Sequence, residues 1–314
     1  MLKVGLVGVG GVSGAHIPAW NEMEGAELVA ICDIRPERME FYPEPRKYLD
    51  FDEMLEKEKL DILDICLPTY LHADFAVKAL EKGINVICEK PVSLKKEDVK
   101  RIYDAAEKHR VQFMVAQVLR FWDEYEYLKS VYDSGRYGKL LSGTMTRLGS
   151  YPAWSWDGWM MDEKRSGLVP YDLHIHDLDF LVYAFGAPKK VTSLRAKQKD
   201  QDFINAVYEF DGFFVGTEAS WYASPYPFAA KFRFQFEQAV IANEGDGLKV
   251  YERGGGVVTF DQVQTGETGA INLPKSNAYA NELLYFADCV KNGRQPEKVK
   301  PCELETVIDI LNNL

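Results

Sequence analysis

Apolar and polar positions change rhythm twice along this chain. Through the first 118 or so residues, short apolar runs ("KVGLVGV", "ELVAICD", "DILDICLP", "NVICEKP" and "QFMVAQV") are separated by helix-like stretches. Parallel neighbours need a crossover, and a right-handed helical one is the common solution, so the alternation predicts a parallel sheet of βαβ units. In "HADFAVKALEKG", Phe75, Ala76, Ala79 and Leu80 fall on one stripe, and Gly83 stands where that helix should stop.

After the helix-like "YEYLKSVYDSGRYG", the texture turns to strands, "LSGTMTRLGS", "NAVYEFDGFFVGTEASWYA" and "KFRFQFEQAVIA", with "ERGGGVV" reading as a hairpin turn. Helical periodicity returns in "AYANELLYFADCVKNG" and "CELETVIDILNNL". The prediction is an α/β chain of two domains. Residues 1–118 carry a doubly wound parallel sheet. Residues 119–314 carry an open, mainly antiparallel sheet, and the helices from about 278 to 314 pack back on the first domain.

A length of 314 residues suits two packed domains. With 37 basic against 48 acidic residues the formal charge is -11, and no basic run is present, which argues against nucleic acid and anionic membrane as partners. The amino-terminal sequence runs straight into a strand without leader character, and no apolar run reaches spanning length, so a cytoplasmic protein is expected. Cys32, Cys66, Cys88, Cys289 and Cys302 lack any CxxC spacing and read as buried reduced thiols, the first three at strand ends; no metal site is expected.

"GLVGVGGVSGAH" joins the first strand to a helix and makes a phosphate-cradling loop of Gly8, Gly10, Gly11, Val12 and Ser13. Glycines at the first two positions allow a tight turn and close approach of backbone N–H groups to a pyrophosphate. Small Ser13, where a third glycine would fall, still permits helix-to-strand packing. Asp33 closes the second strand, where its carboxylate can accept hydrogen bonds from ribose hydroxyls. A 2′-phosphate about 4 Å from that carboxylate would cost roughly 1 to 4 kcal/mol, which favours NAD over NADP. Arg35 and Arg38 nearby soften that discrimination.

In "PYDLHIHDLDF", three aspartates and two histidines fall within eight positions. Pro170 at the start, Leu178, Leu181, Val182 and Phe185 at helical spacing, and Gly186 with Pro188 at the end predict a helix over 170–185. On it Asp172 and His176 lie about 40° apart on one flank with Asp179 beside them, His174 points into the apolar stripe, and Asp177 takes the opposite flank. The two histidines diverge by about 200°, which argues against a shared metal. Asp172 and His176 then read either as a carboxylate–histidine acid/base pair or as a solvated face. Likewise Lys90 in "NVICEKPVS", at the carboxyl edge of a parallel sheet, faces a ligand crevice or is a surface lysine.

Taken together in order and spacing, "GVGGVSGAH", "ICD", "CLPTYLHADFAVKAL", "CEKP", "QVLRFWDEY" and "DLHIHDLDFLVYAFG" resemble the Gfo/Idh/MocA family of NAD(P)-dependent oxidoreductases over nearly the whole chain. The resemblance implies a Rossmann domain followed by an α/β domain whose open sheet forms homodimer or homotetramer contacts. It implies roles at the active site for Lys90, Asp172 and His176, a cis peptide at Pro91, and a cofactor lying along Pro68, Thr69, His72, Glu89 and Lys90. "RSGLVPYD" keeps one glycine ahead of Asp172 where the family often has two or three, and His174 stands where a small residue is common, which makes His174 a candidate substrate contact.

The implied activity is hydride transfer between a secondary alcohol of a sugar or cyclic polyol, inositol-like, and the nicotinamide. Tyr151, Trp154, Trp156 and Trp159 offer aromatic faces for a sugar ring, or else belong to core or interface. Arg120 and Glu124 either reach the pocket or pair as a link between domains. Two other classes remain: a glycoside-cleaving enzyme that uses NAD transiently, and a nucleotide-sensing regulator without turnover.

Overall fold

The computed structural model describes residues 1–260 and 277–314. Its described residues form two compact units, residues 1–121 with 277–301, and residues 122–260 with 302–314.

The first unit runs β1 (Leu2–Val7), α1 (Ser13–Glu22), β2 (Ala26–Cys32), α2 (Pro36–Met39), β3 (Arg46–Tyr48), α3 (Phe51–Lys57), β4 (Ile62–Ile65), α4 (His72–Glu81), β5 (Asn85–Glu89), α5 (Lys96–His109) and β6 (Phe113–Ala116). Its sheet is wholly parallel in the order β3-β2-β1-β4-β5-β6, the doubly wound order of dinucleotide-binding domains. The five expected apolar runs are all strands. The sixth, β3, has only three residues, two of them charged and exposed, so it carries no apolar signal; edge pairing with β2 makes it a strand. In α4, Ala76, Ala79 and Leu80 are buried as the stripe requires, and Gly83 ends the turn with φ +80°. Two local devices set α3: the Asp50 side chain accepts from the Glu53 N–H at 2.8 Å, and acidic side chains occupy its first turn.

The second unit runs α6 (Asp123–Ser134), β7 (Leu140–Ser150), α7 (Glu163–Ser166), α8 (Ile175–Phe185), β8 (Lys190–Gln198), β9 (Gln201–Glu209), β10 (Phe214–Tyr222), β11 (Ala229–Phe236), β12 (Ala239–Asn243), β13 (Leu248–Glu252) and β14 (Val257–Thr259). Eight strands pair in the order β14-β13-β12-β11-β7-β10-β9-β8, antiparallel throughout except β7 with β10. One face buries Met145, Ile204, Val215, Phe232, Phe234 and Ile241. On the other face, register aligns Leu194, Phe214 and Tyr251, which are 76%, 51% and 43% exposed.

Of the two C-terminal helices, α9 (Ala278–Lys291) belongs to the first unit, packed on α1 and β5. The last, α10 (Pro301–Leu311), falls in the second unit from Cys302 on. Two contacts explain it. Tyr171 donates to Asn312 Oδ1 at 2.7 Å, and Leu314 packs against the cluster of Met160, Leu168, Val169, Ile204 and Trp221.

Candidate active site

The glycine loop has the features an NAD pyrophosphate requires. Gly8 adopts φ +93°, and a Cβ there would lie 2.6 Å from the Cys66 carbonyl oxygen, so no other residue fits. At Gly10 a Cβ would meet no protein atom within 4 Å; the space that glycine leaves open lies outside the protein. The first turn of α1 holds no acidic side chain to compete with an anion, and Ser13 Oγ donates to the Gly10 carbonyl at 2.9 Å. Asp33 is drawn to this loop, its Oδ2 accepting from the Val9 N–H at 2.8 Å and its Oδ1 from the Arg35 N–H at 2.9 Å. A carboxylate has about four lone-pair sites, so capacity remains for a ribose hydroxyl. Arg38 Nε donates to the Val9 carbonyl at 3.0 Å, which ties that guanidinium to the loop backbone.

Beyond β4, Pro68 is partly exposed while Thr69 and His72 are buried. The His72 ring nitrogens meet two carbonyl oxygens, Pro91 at 2.7 Å and Leu67 at 2.6 Å, so this side chain laces the loops that follow β4 and β5. The Lys90–Pro91 peptide is cis. From Val86 to Ser93 every residue is buried except Lys90.

Beneath Lys90 lies a group that the sequence reading missed. Asp64, at the centre of the sheet, accepts on Oδ2 from Trp20 Nε1 at 2.7 Å and from His16 Nδ1 at 2.8 Å. The other ring nitrogen of His16, Nε2, lies 3.0 Å from Glu89 Oε1, and Glu89 Oε2 accepts the Lys90 N–H at 3.0 Å. His16, Asp64 and Cys66 form the described trio of His, Cys and acidic residues whose ligand atoms lie within 4.8 Å of one another. His16 Nδ1 lies 2.8 Å from Asp64 Oδ2, and Cys66 Sγ donates to Asp64 Oδ1 at 3.6 Å, so Asp64 is the hub of the trio's hydrogen bonds. A signal was present: an aspartate inside the apolar run "ILDIC" of a parallel strand must find a partner once both faces are covered.

In the second unit, the predicted helix is a π-helical turn over Pro170–His174 leading into α8. The wider i→i+5 turn brings positions four apart more nearly into line than an α-helix does, and such turns recur at functional sites. From Leu168 to Val182 every residue is buried except Asp172 and His176. Leu168, after Gly167, holds φ +59°, a left-handed conformation that costs a residue with a Cβ about 1–2 kcal/mol, so the turn is kept without a second glycine.

The remaining charges of "DLHIHD" face inward. His174 is fully buried, shares a 2.6 Å hydrogen bond with the Tyr208 hydroxyl and stacks on that ring. Burial, with the Arg147 charge adding to it, pushes its pKa down to about 3. A neutral imidazole without exposed surface packs against the sheet and has no access to a substrate. Asp177 accepts from Arg147 Nη2 at 2.7 Å inside the core; burial raises its pKa, and Arg147 opposes the rise. Asp179 is buried as well. Among the aromatic candidates, Tyr151 and Trp159 pack on the Leu168–Trp221 cluster, whereas Trp154 and Trp156 are 57% and 38% exposed. Arg120 is fully buried in the first unit and donates to the Lys298 carbonyl at 2.9 Å, while burial raises the pKa of Glu124. Burial likewise pushes the Cys32 thiol up to about 12, as expected of an inert reduced cysteine; Cys302, in the first turn of α10, is exposed rather than buried as its sequence context suggested.

Residues 2–117 match the family described as "Oxidoreductase family, NAD-binding Rossmann fold", and residues 125–242 match "GFO/IDH/MocA C-terminal domain". A 2,7-anhydro-N-acetylneuraminate hydratase of Mediterraneibacter gnavus is 32% identical over 198 residues, 61% of this chain and 52% of that protein. An inositol 2-dehydrogenase of Salmonella typhimurium is 29% identical over 189 residues, 57% of this chain and 53% of that protein. The matched stretch spans about half the length of these relatives. In structure, a levoglucosan dehydrogenase solved with NADH and levoglucosan superposes with a TM-score of 0.84 at 21% identity, covering 99% of this chain and 95% of that one.

Proposed function

Because the chain belongs to the Gfo/Idh/MocA oxidoreductase family, whose first domain is an NAD-binding Rossmann fold, we propose that it is an NAD-dependent dehydrogenase acting on a secondary alcohol of a sugar or cyclic polyol. One observation carries the reading: two buried stretches expose only ionisable side chains, Lys90 in the first unit and Asp172 with His176 in the second. The inositol 2-dehydrogenase relative supports a polyol class of substrate.

The loop from Gly8 to Ser13 holds the pyrophosphate and Asp33 the ribose, with Pro68 and the turn behind it flanking the cofactor. NAD, when bound, supplies the hydride acceptor. His176 accepts the hydroxyl proton as the carbon–hydrogen bond breaks, Lys90 hydrogen-bonds the reacting oxygen and stabilises its developing charge, and Asp172 orients substrate or imidazole. Trp154 offers an exposed aromatic face for the apolar side of a sugar ring. The chain works in the cytoplasm as a homodimer or homotetramer joined through the sheet face that carries Leu194, Phe214 and Tyr251.

Nicotinamide absorbance, followed while the protein and NAD meet a panel of aldoses, inositols and other polyols, tests this. A rise with one polyol names the substrate family, and His176→Ala then loses about 100- to 10,000-fold in turnover with NAD binding kept. Near-normal turnover in that variant removes His176 from the mechanism. A silent panel, with cleavage of a chromogenic glycoside and no net NADH, replaces the dehydrogenase by a glycoside-cleaving enzyme.

A further inference from the structure

The roles assigned above leave the His16 network unused, although it ends on the backbone of Lys90. Each ring nitrogen of His16 meets a carboxylate oxygen, Asp64 at 2.8 Å and Glu89 at 3.0 Å. A neutral ring would aim a lone pair at one of the two acids; an imidazolium donates to both. Glu89 divides its oxygens between His16 and the Lys90 N–H, so the hydrogen bonds run in series from Trp20 through Asp64, His16 and Glu89 to Lys90.

We propose that His16 is a positioning residue, a buried imidazolium between Asp64 and Glu89 that holds the Glu89 carboxylate against the Lys90 N–H and so sets the direction in which the Lys90 side chain leaves β5. This rests on the role given to Lys90 above. The series fixes the one exposed residue of its stretch from below, without touching substrate. Burial alone would lower the His16 pKa; the Asp64 charge and hydrogen bond, with Cys66 acting in the same sense, hold it well above the ordinary value. Besides Asp64 and Glu89, the titratable groups shown facing the ring among the described residues are Cys66, whose thiol burial pushes up, and Tyr279 on α9, its ring centroid 6.0 Å away.

The test joins ¹⁵N-histidine NMR of the full chain with kinetics of His16→Gln, Asp64→Asn and Lys90→Ala. Both His16 ring nitrogens should carry protons at pH 8 in the wild type. His16→Gln should lose about 10- to 100-fold in kcat, the scale of a misplaced reacting group, with NAD affinity little changed. Asp64→Asn withdraws the charge that retains the proton, so its kcat should fall as pH rises through neutrality while that of the wild type does not. A purely structural defect would lower kcat by the same factor at every pH. A neutral His16 ring at pH 7, stoichiometric metal in the cluster, or a wild-type kcat in His16→Gln beside an inactive Lys90→Ala overturns the proposal. If His16→Gln does not fold, the NMR and the Asp64→Asn profile decide. Full turnover in Lys90→Ala removes the role of Lys90 itself, and the catalytic meaning of the network with it.

Discussion

His174 and His176 lie two residues apart and meet opposite environments. His176 keeps partial exposure, whereas His174 is sealed against Tyr208 with its pKa pushed down to about 3. The unfolded chain binds a proton on His174 below about pH 6.5 and the folded chain does not until about pH 3. A depressed folded-state pKa on a base means that stability is lost as pH falls through that window, by about 1.4 kcal/mol per pH unit. Urea unfolding of His174→Gln at several pH values between 6 and 4 should therefore give a shallower acid slope than wild type, whatever the variant's absolute stability. An unchanged slope would show that His174 titrates normally in the fold.

At the scale of elements, one buried ion pair ties α8 to β7. Arg147 and Asp177 are 5% and 1% exposed, and Arg147 Nη2 also donates to the Tyr125 hydroxyl at 3.4 Å. Removing one partner strands a buried charge, which costs about 3–5 kcal/mol, while replacing both by well-packed apolar groups is often neutral or better. Arg147→Ala should thus lower the unfolding midpoint sharply and Arg147→Met with Asp177→Leu should recover it. Equal losses in both would mean that shape rather than charge holds the helix. The pair is buried whereas Asp172 and His176 are partly exposed, so the double variant should keep the exposure of those two side chains.

For the whole molecule, ligand linkage gives a direct check. NAD at 100 times its Kd should stabilise the unit that binds it by about 2.7 kcal/mol. Thermal unfolding should rise by several degrees with NAD and by less with equal NADP, because the 2′-phosphate would meet the Asp33 carboxylate. Equal shifts would place Arg35, whose Nε lies 3.3 Å from Asp33 Oδ1, in charge of the phosphate. No described helix is long and apolar enough to cross a membrane.

The five apolar strands of the first unit and the Gly8 turn were legible in the sequence, because they rest on local periodicity and on turn chemistry; Asp33, Lys90, Asp172 and His176 were singled out there by motif spacing and resemblance, and their roles are proposals. Three further things came only with tertiary structure. The short β3 exists through its neighbour, having too few residues to show a period. Helix geometry already set Asp172 and His176 apart from His174 and Asp177, but what covers the inward charges depends on tertiary packing: Tyr208 on β9 meets His174, and Arg147 on β7 meets Asp177. The joining of His16 to Asp64 and Glu89 spans 48 and 73 residues of chain, a distance over which only strand register and helix docking decide which donor meets which acceptor.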